Sequence, residues 1–343
     1  MNSLARNALI TGGAGVGAAL LGQALLRRRR WFTFAGKTVL VTGGSRGLGL
    51  VIARQLVAAK ARVAICARDE DELVSAAWDL RFRGGDVQAI RCDVREPEQV
   101  QAMVELVRDR FGPVDVLFNV AGVIEVGPVE AMSLDDFHDA MATHCFGPLH
   151  TTMAVLPDMK RRGWGRIVNI SSIGGKVAPP HLLPYVASKF ALVGLSNGLR
   201  AELAPDGILV TTVNPGLMRT GSPRNATFKG QHRAEYAWFS VSDSLPVISI
   251  DAESAARRII RACQRGDAEV VITAVAKLVA TMQALAPNLM IEVMSVVDRL
   301  LPGMGGIGGG AAKGRQSQSA VSPSWLTALT EKAARRNNEL AAK

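Results

Sequence analysis

Residues 37–49, KTVLVTGGSRGLG, join a short apolar run to a turn that contains four glycines. An amphipathic pattern typical of a helix follows from residue 47 to residue 59. Glycine permits a tight turn, and the free N–H groups at the start of a helix bind anions. The stretch therefore predicts a strand, a phosphate-binding turn and a helix. Its candidate nucleotide-binding residues are Gly43, Ser45, Arg46, Gly47, Leu48 and Gly49.

The chain from residue 36 to residue 272 alternates short apolar runs with amphipathic stretches. Predicted strands lie at residues 38–41, 62–67, 87–91, 114–118, 166–170, 209–213 and 269–272, and predicted helices at residues 47–59, 70–82, 97–110, 134–160 and 185–204. Apolar strands that alternate with helices indicate a parallel sheet covered on both faces. The expected fold is α/β, a doubly wound parallel sheet of the Rossmann type in three α/β/α layers. Such sheets bind ligands beyond the carboxyl ends of their strands.

The positive charge of the chain is concentrated at its two ends. The net charge is +10, but residues 1–30 hold five arginines without an acid, and residues 304–343 hold six basic residues with two acids. The body between them is nearly neutral, whereas a nucleic-acid-binding domain carries its positive charge on its folded body. The four cysteines form no C-x-x-C pair and the five histidines form no H-E-x-x-H motif. We therefore expect no nucleic-acid partner and no metal site.

The N-terminal segment is apolar. Residues 8–26 form 19 positions without a charge, and four arginines follow at residues 27–30. At ~1.5 Å per residue this is about 28 Å of helix, enough to cross a bilayer core. We predict a membrane anchor in residues 1–30, which by the positive-inside rule leaves the rest of the chain in the cytoplasm. The alternative is a flexible extension or one that lies on a surface.

Three segments differ from the alternating pattern. Residues 215–250 are rich in proline, serine, glycine and aromatic residues and predict an irregular lid over a pocket. Residues 273–302 predict two short apolar helices that pack on a second subunit or lie in a membrane interface. Residues 303–343 predict a low-complexity basic tail with a short helix near residues 325–337.

Tyr185 and Lys189 form a Y-x-x-x-K motif, which puts a phenol and an ammonium group on one face of a helix. A nearby cation favours the phenolate and lowers the pKa of a tyrosine toward the range useful for acid–base chemistry. Ser172 lies thirteen residues before Tyr185, at the end of the predicted strand RIVNIS. On its own the motif also arises by chance as a surface pair, so the surrounding motifs decide its meaning.

Five motifs occur in one order along the chain: TGGSRGLG at residues 42–49, NVAG at 119–122, Ser172, Y-x-x-x-K at 185–189 and NPG at 214–216. Together they resemble the short-chain dehydrogenase/reductase family over roughly residues 36–272. The resemblance implies NAD(P)-dependent hydride transfer at the carbonyl or secondary alcohol of a small molecule. It also implies a homodimer or a homotetramer.

The resemblance assigns roles to individual residues. Tyr185 would be the general acid in reduction and the base in oxidation, while Lys189 would hold the nicotinamide ribose and lower the pKa of Tyr185. Ser172, rather than its neighbour Ser171, would polarise the substrate oxygen. Further cofactor contacts would come from Asp93 and Val94 at the adenine, from Asn119, Ala121 and Gly122 beside the fourth strand, and from Pro215, Gly216 and Thr220 at the nicotinamide carboxamide.

The chain departs from the family at two positions. The family signature N-N-A-G reads NVAG, and His144 in THCFG replaces an asparagine that in the family holds a water linking the lysine to solvent. An imidazole can also donate and accept hydrogen bonds. We expect His144 to take part in a proton relay, with a lowered pKa because Lys189 lies nearby. The alternatives are a buried structural histidine and a disabling substitution.

The end of the second strand indicates the cofactor. An NAD enzyme places an acid there for the ribose 2′-hydroxyl, whereas this chain has Arg68, and its glycine turn carries Arg46. Two guanidinium groups suit the 2′-phosphate of NADP(H). We therefore predict NADP(H), with NAD(H) as the alternative if Asp69 turns inward.

The lid indicates the class of substrate. It contains Phe228, Tyr236, Trp238 and Phe239, which suggest an apolar, lipid-like ketone or alcohol. A polar sugar and a carrier-bound acyl group are the alternatives. A hypothesis of another class is a non-catalytic NADP(H)-binding membrane scaffold or redox sensor. His144 and the unusual ends favour that hypothesis, and the intact serine, tyrosine and lysine oppose it.

Overall fold

The computed structural model describes residues 22–340, which form a three-layer α/β/α structure around a seven-stranded sheet. The strands are β1 (Thr38–Thr42), β2 (Arg62–Ala67), β3 (Asp86–Arg91), β4 (Val116–Asn119), β5 (Gly165–Ile170), β6 (Ile208–Pro215) and β7 (Glu269–Ile272). Their order across the sheet is β3-β2-β1-β4-β5-β6-β7, with every neighbouring pair parallel. The strand order reverses between β1 and β4, which makes the sheet doubly wound. The predicted fold class is confirmed.

Helices cover both faces of the sheet. They are α1 (Gly47–Ala58), α2 (Glu70–Phe82), α3 (Pro97–Phe111), α4 (Leu134–Met141), α5 (Gly147–Arg162), α6 (Leu183–Leu203), α7 (His232–Ser244), α8 (Ala252–Arg265), α9 (Ala274–Leu285), α10 (Pro287–Asp298) and α11 (Ala328–Arg336). Along β1, Val39 and Val41 pack with α1, α2 and α8, while Leu40 packs with α3 and α5 on the opposite face. All three side chains are fully buried, because successive residues of a strand point to opposite faces.

One predicted helix is divided. The pattern at residues 134–160 predicts a single helix, but α4 and α5 are separated by a π-helical turn, Ala142–Phe146. The apolar periodicity continues through this turn, so the sequence pattern does not reveal it. Single π-helical turns frequently occur at functional sites, and this one contains His144.

The predicted lid at residues 215–250 is only partly irregular. It contains α7 and three short strands, Leu217–Arg219, Thr227–Phe228 and Ser249–Asp251. Leu217–Arg219 pairs with Ser249–Asp251, while Thr227–Phe228 pairs with Glu125–Val126. The aromatic residues of this segment pack inward: Phe228 and Tyr236 are fully buried, with their ring centroids 5.4 Å apart.

Residues 303–340, which we name the C-terminal strap, pack against the domain. The sequence predicts a low-complexity tail here, but Ala312–Lys313 pairs antiparallel with Thr227–Phe228, and α11 packs on α7. Thr327 and Ala334 are fully buried. The predicted helix near residues 325–337 is present as α11, and the low-complexity segment before it also packs on the domain.

The N-terminal and apolar segments are described in part. Residues 8–21 of the predicted anchor lie outside the described residues, and residues 22–30 are helical, with Arg27 paired to Asp267 at 2.6 Å. Within residues 22–340, no helix combines the length and the hydropathy needed to cross a bilayer. The helices α9 and α10 expose a row of large apolar side chains: Leu278, Met282, Leu285, Leu289, Ile291, Val293 and Val296.

Candidate active site

A cavity of about 780 Å³ lies at the carboxyl ends of β1, β2, β3 and β4. This is the edge of the sheet at which doubly wound proteins bind ligands. Most of the site residues predicted from the sequence line it: Gly43, Ser45, Arg46, Gly47, Leu48, Gly49, Arg68, Asp93, Val94, Ala121, Gly122, His144, Tyr185, Lys189 and Thr220.

Four predicted residues, Ser172, Asn119, Pro215 and Gly216, lie outside this lining. The amide of Asn119 is buried and donates to Asn169 Oδ1 at 2.9 Å, which joins β4 to β5 behind the cavity. A methyl group built on Gly216 would stand 2.7 Å from Thr273 Oγ1, so this glycine allows the start of α9 to approach β6. Asn119 and Gly216 thus support the wall from behind.

The pair Tyr185 and Lys189 projects from the first turns of α6, which begins at Leu183. Lys189 Nζ lies 5.5 Å from the centroid of the Tyr185 ring and donates to the carbonyl oxygen of Ile170 at 2.9 Å. Burial lowers the pKa of Lys189 to about 7. The sequence predicts a lowered pKa for Tyr185, but burial raises it, and the opposing influence comes from Ser172. The ammonium group lies over the ring and does not produce the expected lowering.

The turn after β5 places Ser172 against Tyr185. Ser172 Oγ accepts a hydrogen bond from the N–H of Gly174 at 3.0 Å, and a methyl group on Gly174 would stand 3.2 Å from the tyrosine ring. The hydroxyl of Ser171 is buried and donates to the carbonyl oxygen of Lys189 at 3.0 Å. Ser171 therefore holds α6 against the sheet, which leaves Ser172 as the hydroxyl beside the phenol.

His144 lies beneath Tyr185, with the two rings perpendicular and their centroids 5.4 Å apart. Its Nε2 accepts from the N–H of Val123 at 3.0 Å, so the proton of a neutral ring is on Nδ1. Nδ1 then donates to Ser188 Oγ at 2.7 Å, and Ser188 Oγ donates to the carbonyl oxygen of Tyr185 at 2.8 Å. The imidazole thereby connects the loop after β4 to the first turn of α6.

These contacts bear on the role of His144. Burial lowers its pKa well below the ordinary value, and the charge of Lys189 lowers it further, in the direction predicted. The ring is therefore neutral at pH 7, and both of its nitrogens are engaged with Val123 and Ser188. An imidazole in this state has no nitrogen left to hold a relay water, so the geometry favours the structural alternative.

The opposite end of the cavity carries most of its charge. Arg46 Nη1 lies 3.3 Å from Glu72 Oε1, and Ser45 Oγ donates to Glu72 Oε2 at 3.0 Å. Asp69, on which the NAD(H) alternative depends, caps α2 by accepting from the N–H of Glu72 at 2.9 Å. Arg68 lines the cavity beside these groups.

The C-terminal strap contributes residues that sequence reasoning missed. Lys313, Arg315 and Glu339 line the cavity, although all three belong to the predicted tail. The only sequence signal for them is the basic charge of that tail, which does not indicate where the tail packs. Lys313 and Arg315 join Arg46 and Arg68 at this end of the cavity, and four such cations fit a phosphorylated dinucleotide, whereas Glu339 adds a carboxylate beside Arg46.

The lid aromatics do not form the cavity wall. Phe228, Tyr236 and Phe239 pack with Val126 and Leu182 in an apolar cluster that meets the cavity through Ile124 and Ala226. The apolar part of the cavity lining comes instead from Val123, Ile124, Met218 and Ala226. These side chains lie in the loops that follow β4 and β6.

Comparison with known proteins identifies the family. The family model described as short chain dehydrogenase matches residues 37–229. The chain is 34% identical over 257 residues to the dehydrogenase/reductase SDR family member 7B of Danio rerio, which covers 73% of this chain and 82% of that protein. The chain belongs to the short-chain dehydrogenase family. This short-chain dehydrogenase is an oxidoreductase, and its glycine turn, Ser172 and Y-x-x-x-K pair lie within the residues that the family model matches.

Other relatives of this short-chain dehydrogenase include ketoreductases. It is 41% identical over 190 residues to a ketoacyl reductase of the granaticin polyketide synthase of Streptomyces violaceoruber, covering 55% of this chain and 70% of that protein. The crystal structure of an actinorhodin polyketide ketoreductase variant with NADPH matches with a TM-score of 0.62 and 33% identity, over 69% of this chain and 95% of the other. A short-chain dehydrogenase from Streptomyces avermitilis matches with a TM-score of 0.66 and 32% identity, over 77% and 97% of the two chains.

Proposed function

We propose that this protein transfers a hydride between NADP(H) and a ketone or secondary alcohol, with Tyr185 as the group that exchanges the proton. The observation that carries the proposal is the arrangement at the inner end of the cavity. The half-buried Tyr185 there has the hydroxyl of Ser172 on one side and the ammonium group of Lys189 over its ring. The other end of the same cavity holds the cations suited to a phosphorylated cofactor.

In the reduction of a carbonyl group, each residue of the site has its own role. NADPH, when bound, supplies the hydride to the carbonyl carbon. The phenol of Tyr185 donates its proton to the carbonyl oxygen, and the hydroxyl of Ser172 donates a hydrogen bond to the same oxygen as negative charge develops. Lys189, whose ammonium group lies over the ring of Tyr185, would hold the ribose beside the nicotinamide. Oxidation of an alcohol uses the same groups in reverse.

The cofactor preference rests on charge. Arg68 follows β2, where NAD enzymes carry an acid, and the nearby Asp69 is engaged in capping α2. The related ketoreductase was solved with NADPH, and a gluconate 5-dehydrogenase with 28% identity was solved with NADP. We therefore propose NADP(H), with the 2′-phosphate contacted by Arg68 and Arg46.

The proposed substrate is a ketone on an apolar, lipid-like or acyl chain. The apolar cavity residues Val123, Ile124, Met218 and Ala226 would contact the chain beside the carbonyl. Three of the similar proteins are named ketoacyl reductases, which is consistent with an acyl ketone. We propose that the apolar chain beside the substrate carbonyl is lipid-like.

The test is a steady-state assay of NADPH and NADH oxidation with purified protein and a panel of β-ketoacyl thioesters, long-chain ketones and keto sugars. We expect turnover of the acyl or long-chain ketones with NADPH preferred. Tyr185→Phe should abolish it, and Arg68→Ala should raise the KM for NADPH but not for NADH. The exposed Arg83→Ala is the matched control for loss of one arginine. Turnover that survives Tyr185→Phe would contradict the proposed chemistry. A preference for NADH that Arg68→Ala leaves unchanged would contradict the assignment of NADP(H) as the cofactor.

We also propose that α9 and α10 attach to a membrane surface, together with the N-terminal segment. Their exposed row includes Leu285 and Leu289, which are 81% and 56% exposed. Helices with an apolar exposed face bind at the lipid interface in proportion to the apolar area that they bury. The alternative is packing on a second subunit of a dimer or tetramer.

Vesicle flotation separates these possibilities. A variant that starts at Trp31 should still float with anionic vesicles, and adding Leu285→Asp and Leu289→Asp should release it. Leu134→Asp, at an apolar side chain that is 76% exposed elsewhere, is the control. If the double substitution alters the oligomeric state but leaves flotation unchanged, the surface packs on a second subunit and the membrane proposal is wrong.

A further inference from the structure

The last residues of the C-terminal strap lie on the glycine turn. The N–H of Gly47 donates to the carbonyl oxygen of Asn337 at 2.9 Å. The side chain of Asn338 donates to the carbonyl oxygens of Ser45 and Glu72, at 2.9 and 3.1 Å. Hydrogen bonds on both sides therefore join the end of the strap to the turn that begins α1.

The carboxylate of Glu339 is inserted beside this turn. Its side chain is buried, and Oε2 accepts from the amide of Asn225 at 2.6 Å and lies 3.6 Å from Arg46 Nη1. Oε1 faces the Cα of Gly47, because a methyl group built on that glycine would stand 2.6 Å from it. A carboxylate oxygen thus occupies the space that the missing side chain of Gly47 leaves.

This position has the properties of an anion site. Gly47 is the first residue of α1, and the N-terminus of a helix attracts negative charge through its dipole and its free N–H groups. In dinucleotide-binding turns, the glycine at this point of the motif lets the backbone approach the pyrophosphate of the cofactor. Glu339 therefore stands where an anionic ligand would approach the turn.

We propose that Glu339 is a built-in occupant of the cofactor's pyrophosphate subsite, and that the end of the strap is displaced when NADP(H) binds. The inference rests on the proposed function, because that function supplies the ligand. The strap then acts as an intramolecular competitor, present at a high effective concentration because it belongs to the same chain. It lowers the apparent affinity for the cofactor by the fraction of molecules in which the subsite is filled.

The surrounding contacts make a limited displacement feasible. Burial raises the pKa of Glu339, and Arg46 and Asn225 offset this only in part, so the buried carboxylate is not fully compensated. The preceding helix α11 is held separately, by Arg224 paired with Glu331 and by the hydroxyl of Thr330, which donates to Asp243 at 3.0 Å. Residues 337–340 can therefore leave the turn while α11 stays in place.

The experiment measures binding of NADPH and NADH to the full-length protein by titration of intrinsic fluorescence. Glu339→Gln should tighten binding several-fold, and deletion of residues 337–343 should tighten it at least as much. Glu98→Gln, an exposed acid at the start of α3, is the matched control for the loss of one negative charge and should leave binding unchanged. Thermal unfolding verifies that each variant is folded.

Hydrogen–deuterium exchange gives a second readout that does not depend on turnover. Saturating NADPH should speed exchange in residues 336–340 and slow it in residues 43–49. Weaker or unchanged binding by both strap variants, or slower exchange in residues 336–340, would overturn the inference and make the strap end part of the cofactor site. If NADPH binds every variant but no carbonyl is reduced, only the proposed function fails. If neither cofactor binds the wild type or the deletion variant, both fail.

Discussion

Replacing His144 by leucine should destabilise the protein by roughly 2–4 kcal/mol. Leucine fills a similar volume but cannot accept from the N–H of Val123 or donate to Ser188 Oγ, bonds of 3.0 and 2.7 Å in the structure. A partly buried donor left without an acceptor costs about 1–3 kcal/mol, and loss of an ordinary hydrogen bond costs about 0.5–1.5 kcal/mol. Ser188 retains its bond to Tyr185, so the larger part of the cost comes from Val123.

The assay is urea-induced unfolding at pH 7, followed by circular dichroism. His138→Leu, in the neighbouring helix α4, removes an exposed imidazole and should change the free energy of unfolding by less than about 0.5 kcal/mol. His144→Asn, which can still accept from Val123, should fall between the two. If His144→Leu is as stable as His138→Leu, the hydrogen bonds of His144 to Val123 and Ser188 do not stabilise the protein.

The activity of the same variants separates structure from proton relay. His144 connects the loop after β4 to Ser188 and so to the backbone of Tyr185, which makes it a positioning residue. His144→Leu should therefore lower kcat and leave the Kd of NADPH within about two-fold of wild type, since the contacts end at Tyr185. The pH profile of kcat should keep its shape. An inflection that wild type shows and only His144→Leu lacks would restore the relay interpretation.

Three further outcomes follow from buried groups. Burial raises the pKa of Asp243 to about 7, so between about pH 4 and pH 7 this carboxyl group holds a proton in the folded protein but not in the unfolded chain. The free energy of unfolding therefore falls as the pH rises through that window. In Asp243→Asn this fall should be absent when the free energy of unfolding is measured from pH 4 to 8. Burial lowers the pKa of Lys189 from an ordinary 10.5 to about 7, so above pH 7 the unfolded chain binds more protons than the folded protein. The free energy of unfolding of wild type should therefore rise relative to that of Lys189→Met from pH 7 to 10. A difference between the two proteins that stays constant over this range would contradict the prediction. Phe228→Ala should cost about 3–5 kcal/mol in urea unfolding, because the ring is fully buried against Tyr236 and Phe239, and a cost below 1 kcal/mol would show that the cluster repacks.

The parts of the fold that the sequence predicted are those specified by local pattern. The bounds of β2 and β7 agree with the predicted strands, because each is a short apolar run between turn residues. The glycine turn was predictable for the same reason, since its residues act on their own backbone. Tyr185 and Lys189 were predictable as a pair because helical spacing alone puts them on one face.

The parts that could not be predicted depend on contacts between distant positions. Before α11 the strap is rich in glycine and serine and has no periodicity, and its place is decided by partners such as Gly47, which lies 290 positions before Asn337. The pKa of Tyr185 depends on burial and on its contact with Ser172. Neither the place of the strap nor the pKa of Tyr185 follows from the spacing of residues in the sequence.

The π-helical turn Ala142–Phe146 also sets the rotational phase of everything that follows it in α5. One residue fewer would let α4 and α5 run on as a regular helix, but each later side chain would turn by about 100° around the axis. Thr151 would then leave Asn119, which it reaches at 2.7 Å, and Asp158 would leave Arg108, which it meets at 2.9 Å. The segment therefore tolerates exchange of its side chains more readily than a change in its length. In an alignment, a single gap placed here would assign every inward-facing residue of α5 to the wrong face.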